Sequence, residues 1–508
     1  MTDANLFHRL AAAIADPART AIETADGSHV SYGDLAALTG RIAHHLVARG
    51  VKPGDRVAAW TEKSVTGLAL YLATLRAGAV YLPLNTGYTL AEIAYFIGDA
   101  EPALIVCDPA RRTGLEPLAA RVGAVVETLD AEGCGSLADG AAGRPADFAT
   151  VARTGDDLAA ILYTSGTTGR SKGAMLTHAN LTSNALTLVE AWRFGPEDVL
   201  IHALPVYHTH GLFVASNVCL FAGATMIFLP RFDPGEVAGL LPRATVLMGV
   251  PTFYVRLLRH PGLSREAAAG MRLFVSGSAP LLAETHRDWQ ARTGHAILER
   301  YGMTETNMNT SNPYDGARVA GTVGPPLPGV EARIVDPQTG RGLPDGEIGM
   351  IEVRGPNVFK GYWRMPEKTV AEFRPDGFFI TGDLGRIDAA GYVQIVGRGK
   401  DLIISGGLNV YPKEVEAEID ALPGVVESAV IGLPHPDFGE GVTAVVVRVP
   451  DADIDEAAVL AAMDGRLARF KQPKRVLFAE ELPRNAMGKV QKALLRERHA
   501  GLYGAEGS

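Results

Sequence analysis

The chain holds three cysteines among 508 residues, Cys107, Cys134 and Cys219, far apart and without a CxxC pair or an adjoining His cluster. This scarcity disfavours a disulfide framework or a structural metal and suits a reducing cytoplasm. Positive charge is not in excess either. The formal net charge is −9, so the surface as a whole does not attract nucleic acid or an anionic membrane, and any polyanion must be held by a local site. A secretory signal pattern is missing, since Asp3, His8 and Arg9 fall where one would need a basic and then an apolar stretch. One charge-free run, Gly211 to Pro230, is long enough to be tested for membrane insertion. Ser216, Asn217, Gly223 and Thr225 interrupt it, so it reads as a buried helix to Phe221, a glycine turn and a strand Thr225–Leu229. There is no GxGxxG fingerprint and no internal repeat, which counts against a dinucleotide-binding unit and a solenoid.

Hydrophobic residues make up 47% and charged residues 21%, ordinary values that exclude disorder as a description of the whole. A length of 508 exceeds the roughly 250–300 residues that one core supports, so at least two domains are expected. Leu35, Leu38, Ile42 and Leu46 form a helical stripe that stops at Gly50, with Ser31 or Asp34 near its start. Val57–Trp60, Val65–Arg76 and Val80–Leu84 then read as strand, helix and strand, a pattern that returns through Leu104–Cys107, Thr225–Leu229, Thr245–Gly249 and Leu273–Ser276. From Asp336 to Tyr392 the texture is short strands: Ile348–Arg354, Phe378–Thr381 and Tyr392–Val396. A helix opening at Pro412, strands Val425–Ile431 and Thr443–Val449, a helix near Glu456–Leu467 and a last helix after Lys489 make a smaller unit. The expected fold is α/β: a large N-terminal domain, residues 1–398, with parallel or mixed sheets, crossover helices and a β-rich subdomain, then a small α+β C-terminal domain, residues 399–508.

Chemistry concentrates in YTSGTTGRSKGAM, Tyr163 to Met175, directly after an apolar strand. Gly166, Gly169 and Gly173 let backbone N–H groups turn towards a ligand, while Thr164, Ser165, Thr167, Thr168 and Lys172 add hydroxyls and a charge. Phosphate oxygens want such a surface. It is not a Walker A loop, because Ser171 stands where that motif needs its second glycine. Composition alone leaves a flexible linker open. The segment Tyr301–Thr306, YGMTET, combines an aromatic, a glycine, hydroxyls and Glu305, a set able to stack a purine and hold Mg²⁺, although a loop glutamate is more often simply solvated.

Together with ALPVYHTHG at Ala203–Gly211, TGD at Thr381–Asp383, GRGKDLIISGGLNVYPKEVE at Gly397–Glu416 and PRNAMGK at Pro483–Lys489, these motifs occur in the order of the adenylate-forming superfamily, which the chain resembles along nearly its full length. Within it the sequence looks most like the malonyl-CoA synthetases. The resemblance implies ATP, Mg²⁺ and coenzyme A as ligands and a C-terminal lid that rotates between adenylation and thioester formation. It implies that Thr164, Ser165, Gly166, Thr167, Thr168, Gly169 and Lys172 hold the β- and γ-phosphates, with Thr164 and Glu305 near the metal. Glu299, Arg300 and Tyr301 would frame adenine opposite Ser278, Ala279 and Pro280, Thr304 would touch the α-phosphate, and Asp383 and Arg398 would hold the ribose. Lys489 would bridge the attacking carboxylate and the α-phosphate, offsetting their mutual repulsion. Lys400 would be the hinge, and Ser405, Gly406 and Gly407 would line the route of the CoA thiol. Ten Lys or Arg against three Glu between Arg466 and Arg498 suit the CoA phosphates, with solvated surface as the alternative for most.

A dicarboxylic acid needs a cation at the far end of its pocket, because an unpaired buried carboxylate is costly. The family places Arg256, His208, His210 and Ser278 beside the acyl group, which favours malonate and leaves methylmalonate open. Either histidine serves equally well as packing, and Arg256 as a surface cation. A carrier-protein adenylation domain is disfavoured, since no carrier segment follows Lys489. A non-catalytic relative is disfavoured because Lys489 and Glu305 are present. No nucleic-acid or membrane partner is expected, and a lysine acetyltransferase acting on Lys489 would switch the enzyme off.

Overall fold

The computed structural model describes residues 3–164, 171–405, 408–464, 466–485 and 488–504. Its largest sheet has eight strands in the order Asn307–Ser311, Leu298–Met303, Leu273–Ser276, Val246–Gly249, Val199–His202, Thr225–Phe228, Thr20–Thr24, His29–Ser31. All pairings from Leu298–Met303 to Thr20–Thr24 are parallel. A seven-stranded sheet runs Gly361–Tyr362, Lys172–Thr177, Leu158–Thr164, Val80–Pro83, Arg56–Trp60, Leu104–Cys107, Val125–Thr128. The β-α-β units expected from the sequence are therefore present, with boundaries displaced by a residue or two.

Helix ends follow local chemistry. Ser31 caps Tyr32–Ala48 in a reciprocal box with Asp34, and Thr89 with Glu92 does the same for Leu90–Ala100. The helix Val65–Arg76 is buried at every position from Gly67 to Arg76, because it lies in the main core and has no solvent face. The charge-free stretch forms a π-helix, His210–Ser216, then an α-helix, Asn217–Phe221, with Gly223 at φ +67° before the strand Thr225–Phe228. Helix, turn and strand were legible there; the wide π turn was not. Among the described residues no helix is long and apolar enough to cross a membrane.

The β-rich region is a four-stranded antiparallel sheet, Glu331–Val335, Gly349–Arg354, Phe379–Ile387, Val393–Arg398. One short 3₁₀ turn, Gly399–Asp401, leads from it to a last sheet built from Ile403–Ser405, Leu408–Val410, Val425–His435, Gly439–Arg448 and Arg475–Ala479. That sheet has its own core, in which Val415 and Ile419 of the helix Pro412–Asp420, and Leu422 just beyond its end, cluster with Val430, Val442 and Val446.

Candidate active site

The strand Leu298–Met303 lies at the rim of the parallel part of the large sheet, and its alternation sends successive side chains to opposite faces. On one face Tyr301 donates from its hydroxyl to Asp383 Oδ2 at 2.5 Å, while Arg398 Nε stands 2.7 Å from Asp383 Oδ1. Asp383 and Arg398 face each other across paired strands, so the backbone register presets the ion pair. Asp383 holds the Arg398 guanidinium above its ordinary range, and burial raises the Tyr301 hydroxyl. Glu299, on the same face, is pushed up to about 8 by burial and accepts from Gly321 N at 3.4 Å. Ser278, in the loop after Leu273–Ser276, sits in the left-handed region at φ +72°, with Ala279 and Pro280 partly open beside it.

Thr164 ends its strand and donates to the Lys172 carbonyl at 3.4 Å. Lys172 Nζ lies 4.1 Å from the Tyr362 ring centre and 3.2 Å from Glu372 Oε1. The Tyr362 hydroxyl is 2.7 Å from Glu372 Oε2 and 3.1 Å from Glu305 Oε1, so a single proton serves two carboxylates. Glu305 is buried in the turn with Thr304, and burial raises its carboxyl. A buried carboxylate sharing its one side-chain donor fits a divalent cation. No group of three or more His, Cys, Asp or Glu side chains arranged for a metal occurs among the described residues. Ser165, Gly166, Thr167, Thr168 and Gly169 lie outside the described residues.

The opposite face of the same strand carries Arg300, only 3% exposed. Its guanidinium lies against Gly277, where an added Cβ would come within 2.4 Å of its carbon, and its Nε and one terminal nitrogen have no hydrogen-bond partner among the described residues. Burial lowers it to about 9. Its charge acts on His208, which is held down to about 4 chiefly by desolvation, and on His210, which burial holds well below its ordinary range. His210 Nδ1 is 3.2 Å from Ser278 Oγ, and its Nε2 is unpartnered, as is Ser276 Oγ. Arg300 therefore faces away from Glu299 and Tyr301 and towards the histidines, not towards the adenine frame expected for it. The alternation of the strand was the signal that would have separated them.

Arg256 is exposed and, among the described residues, makes no ion pair. Its helix, Pro251–Leu258, buries Tyr254 and Leu257, which turns Arg256 outward, one turn beyond Thr252. The desolvated cation next to His208 and His210 is Arg300.

Lys489 reaches this cleft from the C-terminal unit. A Cβ on the preceding Gly488 would lie 3.5 Å from Thr252, and the Lys489 charge acts on His208. Although open to the cleft, its ammonium is lowered to about 8, by desolvation first and then by Arg398, with Asp383 opposing. Lys400 is exposed in the Gly399–Asp401 turn, and its ammonium is lowered, by desolvation first. Ser405 is buried on its strand, and Gly406 and Gly407 lie outside the described residues. Of the ten cations from Arg466 to Arg498, six pair with acids: Arg466 with Glu418, Lys471 with Glu414, Arg475 with Glu456, Arg484 with Glu427, Lys492 with Glu416 and Arg496 with Asp401. The excess read from the sequence is thus mostly neutralised within the same unit.

Comparison with known proteins agrees with this geometry. The AMP-binding enzyme family matches residues 11–363, and the AMP-binding enzyme C-terminal domain matches residues 414–489. A malonate–CoA ligase of Arabidopsis thaliana is 35% identical over 93% of this chain and 85% of its own length. The crystal structure of ATP-bound MatB from Rhodopseudomonas palustris superposes with a TM-score of 0.98 at 69% identity, covering 99% of this chain and all of that one. The apo crystal structure of the same MatB, with the same coverage and identity, gives 0.87, so the arrangement described above is closer to the ATP-bound one.

Proposed function

The chain belongs to the AMP-binding enzyme family, and from that membership we propose that it joins malonate to coenzyme A using ATP, through a malonyl-adenylate, releasing AMP and diphosphate. The observation that carries the substrate is Arg300: a buried guanidinium without a counter-charge, beside two neutral histidines and Ser278. Such a cation is costly alone and becomes favourable when a carboxylate enters. A monocarboxylic acid offers no charge to it once its single carboxylate is engaged with ATP.

The chain's residues divide the work as follows. Asp383, already oriented by Tyr301 and Arg398, accepts the ribose hydroxyls, and Glu299 with Ser278 and Ala279 frames the base. Thr164, Lys172 and the loop Ser165–Gly169 meet the phosphates. Glu305, with Thr164, holds Mg²⁺, which when bound neutralises phosphate charge. Arg300, His208, His210 and Ser278 take the distal carboxylate, with Arg256 at the mouth. Lys489 then stands between the free carboxylate and the α-phosphate, where its ammonium offsets the charge that builds up as they join. Residues 1–398 and 399–508 act as two domains, with Lys400 in the connecting turn as pivot, so that rotation withdraws Lys489 and brings Ser405, Gly406 and Gly407 to the thiol. Acetylation of Lys489 by a lysine acetyltransferase would remove the charge needed in the first step. Three free thiols suit a reducing, cytoplasmic setting.

Methylmalonate adds one methyl, worth about 1–3 kcal/mol in an apolar pocket, and is expected as a secondary substrate. The test is AMP release from malonate, methylmalonate, acetate and butyrate, each with and without coenzyme A. Malonate should lead and require coenzyme A for turnover; butyrate used as well as malonate would overturn the reading.

A further inference from the structure

The side chain of Lys63, 9% exposed, has no carboxylate partner among the described residues, yet all three of its hydrogens are engaged. Its Nζ reaches His202 O at 2.7 Å, Leu204 O at 3.0 Å and His202 Nδ1 at 2.9 Å, and lies 4.1 Å from the Phe228 ring centre. A lysine ammonium can only donate, so His202 Nδ1 accepts and the ring proton sits on Nε2. That Nε2 faces Gly211 O at 2.9 Å and Ser216 Oγ at 3.1 Å. Ser216 Oγ also donates to Gly211 O at 2.9 Å, across the wide turn of the π-helix His210–Ser216.

The segment 203–210 is therefore tied at both ends by one chain of bonds. Lys63 holds its beginning directly, and through His202 it holds its end at Gly211. His208 and His210 lie within that span. The tie also crosses between sheets: Lys63 follows the strand Arg56–Trp60 of the seven-stranded sheet, whereas the segment follows Val199–His202 of the eight-stranded one. A buried cation with no counter-charge is a poor device for stability, since an apolar side chain of similar length would avoid its desolvation. Its directional donors fix geometry instead, and π turns are concentrated at functional sites.

We propose that Lys63 is a positioning residue for the acid substrate: acting through His202, it sets the 203–211 segment so that His208 and His210 meet the carboxylate held by Arg300. This rests on the malonate reading above. The test is steady-state kinetics of the full-length enzyme with malonate and ATP varied separately, on Lys63→Met, His202→Leu and the double variant. Lys63→Met should raise the malonate KM about tenfold or more and leave the ATP KM within about twofold, as expected for a loss confined to one substrate's subsite. The double variant should be no worse than the poorer single one, because both cut the same chain of bonds. Additive effects, or equal rises in both KM values, would overturn the proposal. Should Lys63→Met fail to fold, His202→Gln keeps the ammonium in place while shifting the link to Gly211; a selective rise in malonate KM supports the proposal, and an unchanged malonate KM refutes it. Wild-type enzyme that ignores malonate would instead refute the substrate reading.

Discussion

The two faces of the strand Leu298–Met303 present opposite electrostatic conditions three residues wide. On the side proposed for the ribose, Asp383, Arg398 and Tyr301 satisfy one another before any nucleotide arrives. On the side proposed for the acid, Arg300, His210 and Ser276 retain buried polar atoms without partners among the described residues. A preassembled ion pair fixes geometry and asks little of its ligand beyond fitting. An unfinished cluster discriminates, because only a ligand that completes it recovers the desolvation already incurred. On the proposed roles, nucleotide recognition is built for orientation and acid recognition for selection.

The comparison is broken most severely at the residue that joins the two sides. Lys489→Ala should lower malonyl-adenylate formation by about a thousandfold, the scale of losing one preorganised charge, while transfer from supplied malonyl-adenylate to coenzyme A persists. Equal losses in both half-reactions, measured separately by single turnover, would place Lys489 elsewhere.

Next in size is Arg300→Met. Binding of malonate should weaken by about 2–5 kcal/mol while the ATP KM holds, and the folded protein should become more stable, since an uncompensated charge has gone. A lower melting temperature together with an unchanged malonate KM would mean the unfinished cluster is an ordinary structural feature. The reverse substitution on the finished side, Asp383→Asn, should weaken ATP by about 1.5–3 kcal/mol, the range for hydrogen bonds to charged groups, and destabilise the fold by leaving the partly buried Arg398 without its carboxylate. A malonate effect larger than the ATP effect would erase the division between the faces.

Acidity sharpens the contrast more gently. Lys489 must be protonated to act, and its ammonium sits near 8, so adenylation should decline as pH rises through that value. Above it the loss should approach about tenfold per pH unit, and Lys489→Arg, if active, should carry the decline to higher pH. His208, neutral down to about 4, should contribute no limb between. A profile flat to pH 10 would show that bound substrates, not the free site, set the titration. The smallest effect belongs to Arg256→Ala, which should change the malonate KM by less than about fivefold because the side chain is solvated; a loss matching that of Arg300→Met would make Arg256 a full partner on closure.

Much of this was readable in the sequence. Apolar runs bounded by glycine or charge gave the strands Leu104–Cys107 and Leu273–Ser276 to the residue, and the Ser31–Asp34 pair marked a helix start. The ordered motifs pointed to Asp383, Glu305 and Lys489, the residues on which the proposed nucleotide and adenylation roles rest. The resemblance grouped Arg300 with Glu299 and Tyr301, whereas the strand sends it to the other face, beside His208 and His210. Lys63 had no local signal at all: a lone lysine before a helix looks solvated, and its partners lie far along the chain on another sheet. The inward direction of a side chain depends on packing that pattern cannot report.

The closeness of Gly277 to the Arg300 guanidinium fixes the seat of that charge. One methyl at that position would occupy the space now held by the guanidinium carbon and push the charge off its seat. A single methyl at Gly277 thus tests the seat of that charge without altering Arg300 itself, on the loop where Ser278 borders both the base and the acid.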